Sequence, residues 1–173
     1  MNIKNVVVIG SGTMGSGIAA QLCNANIPVT LLDLKTEISE KAKKKIFKSR
    51  PPLLIDKNKI KNIKVGNIEE NFDTVKKADW VVEAVVERID IKHSLYEKIL
   101  KVRKKDSIIS SNTSTIPLKV LSAKMSDEDK KDLEEKRRNW IFGYDLFAAS
   151  PTTFAPATDS YNSVEMSAHR CLR

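Results

Sequence analysis

The chain begins with an apolar run, Val6-Val7-Val8-Ile9, inside a stretch of 3–9 that is too continuous for a half-exposed strand and suits one buried on both faces. From residue 13 the period changes. Met14, Ile18 and Leu22 recur every four positions, which predicts a helix over 13–25 with one apolar face. Val29-Thr30-Leu31-Leu32 predicts a strand over 29–33, followed by a helix over 36–48 that Arg50-Pro51-Pro52 brings to a stop. Ile63-Lys64-Val65 reads as a short third strand and 70–77 as a helix. The run Asp79-Trp80-Val81-Val82-Glu83-Ala84-Val85-Val86 is nearly continuous and apolar, again as expected of a parallel strand covered on both sides. Ile91, Leu95, Ile99 and Val102 mark an amphipathic helix over 88–103, and Ser107-Ile108-Ile109-Ser110 a further strand. Strands alternate with helices throughout. The expected fold class is therefore α/β: a doubly wound parallel sheet with right-handed crossovers, helices on both faces and a ligand crevice at the carboxyl ends of the strands.

Length and composition narrow this picture. A chain of 173 residues buries one good core but not two full domains. No stretch approaches the roughly 20 apolar residues of a membrane span, and no signal-peptide pattern precedes the first strand, so a cytosolic protein is expected. Cys23 and Cys171 show neither metal-ligand spacing nor CxxC pairing, which predicts free thiols and no metal. The net charge of +8 raises the question of nucleic acid. The lysines are spread among many Asp and Glu, however, and this weighs against such a partner. The dense cluster Lys41-Ala42-Lys43-Lys44-Lys45-Ile46-Phe47-Lys48 reads first as a solvated helix face, and second as an attractor for a polyanionic small molecule such as a coenzyme A thioester.

The chemistry is concentrated in Gly10-Ser11-Gly12-Thr13-Met14-Gly15, directly after the first strand and at the start of the first helix. A strand that turns abruptly into a helix needs one glycine for the tight turn, a second so that the backbone can approach a pyrophosphate, and a third for close helix–strand packing. Gly10, Gly12 and Gly15 fill those places. The free N–H groups and positive dipole end of the helix would then meet the phosphates. The second strand ends in Asp33, where an acid accepts hydrogen bonds from the adenosine ribose and repels a 2′-phosphate, so NAD is expected rather than NADP. The plainer reading of Asp33 is a solvated carboxylate at a strand end.

With these features, three further blocks complete a resemblance: Asp33, the run from Ala78 to Glu87, and Ser110-Ser111-Asn112-Thr113-Ser114-Thr115-Ile116. In order and spacing, residues 1–132 resemble the NAD-binding, Rossmann-type domain of the 3-hydroxyacyl-CoA dehydrogenases. The resemblance implies that the loop from Gly10 through Ser11, Gly12, Thr13 and Met14 to Gly15 wraps the pyrophosphate and that Asp33 holds the adenosine ribose. It further implies that Glu87 and Lys92 line the nicotinamide side, and that Ser114 hydrogen-bonds the oxygen of an acyl-CoA substrate. Structurally, Glu87 is expected to close the fourth strand, and Lys92 to lie one turn into the next helix, or else to be one more exposed lysine. Ser114 has a second reading, that its Ser/Thr-rich loop caps the helix after Ile116-Pro117-Leu118. His93 is expected at the surface.

The resemblance has a limit. Hydride transfer from a secondary alcohol leaves a hydroxyl proton, for which a carboxylate-held histidine is a suitable base. The family supplies one in a His-Phe-Phe-Asn-Pro-like strand about twenty residues past the serine. This chain reads Leu133-Glu134-Glu135-Lys136-Arg137-Arg138-Asn139-Trp140 there, and its one later histidine, His169, lies in a segment without resemblance. All 23 lysines and 16 of 17 isoleucines fall within residues 1–136, whereas 137–173 is rich in Ala, Ser, Thr and Pro. The expected division is thus an NAD-binding domain over 1–136 and an unrelated or aberrant tail over 137–173, from a frameshift, a chimeric join or an added segment. Within it, Trp140-Ile141-Phe142-Gly143-Tyr144 is suited to a last edge strand. The family's helical domain, which completes the acyl-CoA site and the homo-oligomer, has no counterpart, so the expectation is a dehydrogenase part that is inactive alone, or a module that holds NAD and catalyses nothing.

Overall fold

The computed structural model describes residues 3–130 and 140–142. Its elements are β1 (Val6–Ile9), α1 (Thr13–Asn24), β2 (Val29–Asp33), α2 (Thr36–Lys48), β3 (Ile63–Asn67), β4 (Trp80–Glu83), α3 (Ile89–Val102), β5 (Ile108–Ser111), α4 (Leu118–Leu121) and β6 (Trp140–Phe142). Short 3-10 segments, Lys57–Asn62 and Phe72–Lys77, precede β3 and β4; the second stands where the periodicity predicts a full helix over 70–77.

The six strands form one parallel sheet in the order β3-β2-β1-β4-β5-β6. The chain builds outward from β1 to one side, then returns to the other side of β1 and builds outward again. This places a switch point between β1 and β4, where the crossovers diverge and open a crevice at the carboxyl edge.

Alternation along the strands explains the unbroken apolar runs. Val6 and Val8 face α1 and α2, packing with Ile18, Leu22, Cys23, Leu31, Ile46 and Val82. Val7 and Ile9 face the opposite layer, with Leu32, Val81, Leu95, Tyr96, Ile99 and Ile109. β1, β4 and β5 are buried along their whole length, so these strands are wetted on neither side. Cys23 is a free thiol wholly within the first layer, and burial pushes its pKa up, against the weaker pull of Lys43 and Lys59.

Asp79 fixes the amino edge of the sheet. Its carboxylate accepts the backbone N–H groups of Lys4 and Asn5 at 3.0 Å each and the Lys104 ammonium at 2.6 Å, joining the start of β1 to the approaches of β4 and β5. Partial burial raises its pKa, but the Lys104 contact and the two N–H groups outweigh that and hold it below the usual carboxylate range.

The strand expected over 79–86 ends at Glu83: the Ala84 N–H makes the last bond to β1, on the Ile9 carbonyl, and the next N–H, of Val85, donates back to the Glu83 side chain and turns the chain out of the sheet. Trp140–Phe142 pairs parallel with β5, in register from Ile109 to Ser111. The expectations for Gly143, Tyr144, His169, Cys171 and the rest of the tail lie outside the described residues.

Candidate functional site

At the carboxyl edge the chain leaves β1 through Gly10, whose φ of +102° is a conformation L side chains rarely adopt. A Cβ there would lie 2.3 Å from the Ala84 carbonyl oxygen and 2.8 Å from the Val85 nitrogen. The loop therefore rests directly on the backbone that departs from β4. A Cβ on Gly15 would come within 1.9 Å of the Gly10 carbonyl oxygen, so the first turn of α1 packs onto the loop with no room for a methyl group. Gly12 is different, since a Cβ on it would meet nothing within 4 Å. It occupies the N-cap position of α1, and no side chain caps that end. The first-turn N–H groups of an α-helix lack helical partners; here they open, with Gly12, Thr13 and Met14 all exposed, on an unobstructed surface at the positive end of the helix dipole. Such an end suits an anionic group lying close to backbone.

Asp33, at the end of β2, is not merely solvated. Its Oδ2 accepts both the N–H and the hydroxyl of Ser11, at 2.7 and 2.5 Å, and its Oδ1 accepts the Leu34 N–H at 2.8 Å. The carboxylate thus ties the glycine loop to the neighbouring strand while remaining partly exposed at the crevice.

Across the switch point lies a second constellation. Glu83, the last residue of β4, is wholly buried, and its carboxylate accepts four donors: the Lys92 ammonium (2.7 Å) and Val85 N–H (2.9 Å) on Oε1, and the hydroxyls of Tyr96 (2.9 Å) and Ser111 (2.5 Å) on Oε2. Burial, followed by the adjacent Glu83 carboxylate, pushes the Tyr96 phenol far up. Lys92, 1% exposed, bridges Glu83 to Glu87, whose Oε2 lies 3.2 Å away. Glu87 is held from the other side by the hydroxyls of Thr113 and Thr115, the latter at 2.8 Å. Partial burial raises the Glu87 carboxyl, yet the two threonine hydroxyls and the Lys92 ammonium together keep it below the usual carboxylate range.

Several sequence expectations change here. Glu87 does not close β4 but sits in the loop beyond it, and Lys92 is not an exposed lysine. His93 is buried rather than at the surface, with Nε2 2.8 Å from the Val120 carbonyl oxygen, because α4 folds over this end of α3. Ser114 is exposed on the loop after β5, between the two threonines that clamp Glu87. The turn into α4 is stabilised by Thr113, whose hydroxyl accepts the Ile116 N–H at 3.2 Å, and by the Pro117 carbonyl, which takes the first helical bond, so Ser114 is not the capping hydroxyl. Glu83 was not singled out by the sequence, since one acid inside an apolar strand reads as an interruption. The pairing of Glu83 with Lys92 across nine positions is visible only once β4 and α3 are folded together. On α2, Lys43, Lys44, Lys48 and Phe47 line a hollow of about 460 Å³. Among the described residues, no group of His, Cys, Asp and Glu could hold a metal ion, and no helix is long and apolar enough to cross a membrane.

Residues 5–132 match the family model for the 3-hydroxyacyl-CoA dehydrogenase, NAD binding domain. A probable 3-hydroxyacyl-CoA dehydrogenase from Deinococcus radiodurans is 45% identical over 125 residues, covering 68% of this chain and 36% of that protein. A putative fatty acid oxidation complex trifunctional enzyme from Rickettsia felis is 44% identical over 135 residues, covering 74% of this chain and 19% of that protein. The chain therefore spans well under half the length of these relatives. Among solved structures, 3-hydroxybutyryl-CoA dehydrogenase from Escherichia coli superposes with a TM-score of 0.64 at 28% identity, over 73% of this chain and 28% of that one.

Proposed function

The chain belongs to the 3-hydroxyacyl-CoA dehydrogenase family, whose NAD-binding domain it carries, and from that premise we propose that residues 10–15, Asp33, Glu87 and Lys92 together hold NAD in the crevice between β1 and β4. In this reading the chain is the cofactor-holding part of an enzyme that oxidises 3-hydroxyacyl-CoA to 3-oxoacyl-CoA in fatty-acid β-oxidation. The observation that carries it is the uncapped, unobstructed start of α1 beside Gly12, in a loop tied by Ser11 to the carboxylate at the end of β2. Backbone N–H groups would receive the pyrophosphate, so binding there requires no cationic side chain. Asp33, already oriented by Ser11, would accept the adenosine ribose hydroxyls and disfavour a 2′-phosphate. Glu87 and Lys92 would flank the nicotinamide, and the exposed Ser114 hydroxyl would donate to the substrate oxygen.

When bound, NAD supplies the hydride acceptor. What this chain must add for turnover is a base for the hydroxyl proton. Among the described residues the one histidine, His93, is buried under α4 with its Nε2 on the Val120 carbonyl oxygen, and it is not held by a carboxylate as a base for this proton would be. This favours a second reading for residues 1–173 taken alone, that of a module that binds NAD without catalysis. Lys44 and Lys48, which line a hollow on α2 together with Glu40 and a Lys43 held by the Ile63 carbonyl, would be the groups to attract the phosphates of a coenzyme A thioester in this reading.

Calorimetric titration and a spectrophotometric assay test both parts. Wild-type protein is expected to bind NAD more tightly than NADP, and Asp33→Ala to weaken NAD by about tenfold or more, the scale of losing charge-assisted hydrogen bonds. Unchanged affinity would overturn the ribose role. With a 3-hydroxyacyl-CoA and NAD, no NADH absorbance is expected to appear; sustained turnover would show that a base is present after all.

A further inference from the structure

A carboxylate buried in the middle of a sheet is costly, and an apolar residue of similar volume commonly serves stability as well or better. Glu83 is 0% exposed at the end of a central strand, between apolar neighbours. Its position is informative for what its oxygens touch. Oε1 holds two groups at once, the Lys92 ammonium and the Val85 N–H, and Val85 is part of the backbone against which Gly10 packs. One carboxylate therefore sets both the floor of the glycine loop and the place of the lysine. Lys92 in turn reaches Glu87, the one acid of this cluster whose side chain opens to the crevice, at 43% exposure. Tyr96 and Ser111 occupy Oε2 and fix the carboxylate plane from α3 and β5. Every degree of freedom of Glu83 is used, whereas Glu87 keeps a wetted face.

We propose that Glu83 is a positioning residue of the cofactor site: it fixes the Lys92 ammonium, and through it Glu87, at the nicotinamide end, leaving the adenosine end to the glycine loop and Asp33. The inference rests on the assignment of Lys92 and Glu87 to the nicotinamide side made above. It predicts an asymmetry. In Glu83→Gln the amide oxygen can still accept the Val85 N–H, and the hydroxyls of Tyr96 and Ser111 can rotate to accept from the amide. The floor under Gly10 survives, and what is lost is the negative charge beside Lys92, whose one remaining anionic partner in the cluster is then Glu87.

Titration of the 173-residue protein with NAD and with ADP-ribose, the same molecule without nicotinamide, reads this directly. Glu83→Gln is expected to weaken NAD about tenfold, the size of one charge-assisted contact, and to leave ADP-ribose within about twofold. A parallel loss of both ligands, as a merely structural role would give, overturns the proposal, and so does unchanged NAD affinity. Should Glu83→Gln fail to fold, Ser111→Ala keeps the charge and removes one donor from Oε2. It is expected to weaken NAD alone by about threefold, and equal affinities to wild type would overturn the proposal. Glu87→Ala separates this inference from its premise. If it lowers the preference for NAD over ADP-ribose while Glu83→Gln does not, only the role of Glu83 falls; if neither variant changes that preference, the nicotinamide assignment itself is wrong.

Discussion

Gly10 and Gly12 stand two residues apart in one loop, yet a methyl group tests a different property at each. At Gly10 it meets both a φ of +102° and the Ala84 carbonyl oxygen at 2.3 Å, neither of which can yield without moving the end of β4. Gly10→Ala is expected to destabilise the fold by about 2 kcal/mol or more, the scale of a strained backbone with a clash, read as a lowered melting temperature. At Gly12, with φ −61° and nothing within 4 Å, alanine fits the empty protein. Gly12→Ala is expected to cost only about 0.5 kcal/mol, the difference between glycine and alanine at an N-cap, and so to lower the melting temperature by about 2 °C, while NAD binding drops sharply. A melting loss at Gly12 equal to that at Gly10 would show the loop to be structural throughout. The glycine spacing made the turn at Gly10 and the packing at Gly15 legible in the sequence, because both are local demands. The contacts of Glu83 were not legible, because three of its four donors, Lys92, Tyr96 and Ser111, come from separate places along the chain.

Among the elements, α3 shows how a periodic pattern can be read correctly and its content missed. Its apolar spacing predicts the helix to within a residue at each end. The face it buries, however, runs through Lys92, Leu95, Tyr96 and Ile99, with the i, i+3, i+4, i+7 steps of an inward stripe and a lysine in the first position. A lysine among many carries no mark of burial until a carboxylate is found opposite. His93 was hidden in the same way, since its partner is the carbonyl of Val120, a group without side-chain identity. At the opposite edge, the Asp79 tie between β1, β4 and Lys104 carries a pH signature. Its folded pKa is depressed, so its stabilisation is fully present above the unfolded carboxylate value of about 4 and is lost as the pH falls through the lower folded value. Asp79→Asn is expected to cost about 1 kcal/mol at neutral pH, after allowance for solvent screening of a surface group. That deficit should shrink towards zero in acid, which urea unfolding at several pH values measures; a deficit independent of pH would mean that the hydrogen bonds matter and the charge does not.

The whole molecule is a sheet that grows away from β1 in both directions, and its class, a doubly wound parallel sheet, was legible because strands alternate with helices along the chain. The strand ends were less so: the apolar pattern continues past Glu83 to Val86, although the chain has already turned out of the sheet. Cys23 lies in α1, the helix whose first turn borders the glycine loop, with its sulfur enclosed between that helix and the sheet. A thiol so enclosed, with a raised pKa, reacts with a soluble disulfide reagent only in molecules that have opened. In a Cys171→Ser background the rate of modification is therefore a clock for the opening of the first βαβ unit. NAD at about 100 times its Kd is expected to slow that clock by about a hundredfold if opening destroys the site. A rate indifferent to NAD would mean that α1 lifts from the sheet while the loop still holds its ligand. The same buried sulfur that contributes only a few contacts to the core thus records, on a chemical timescale, how long the cofactor keeps its helix closed.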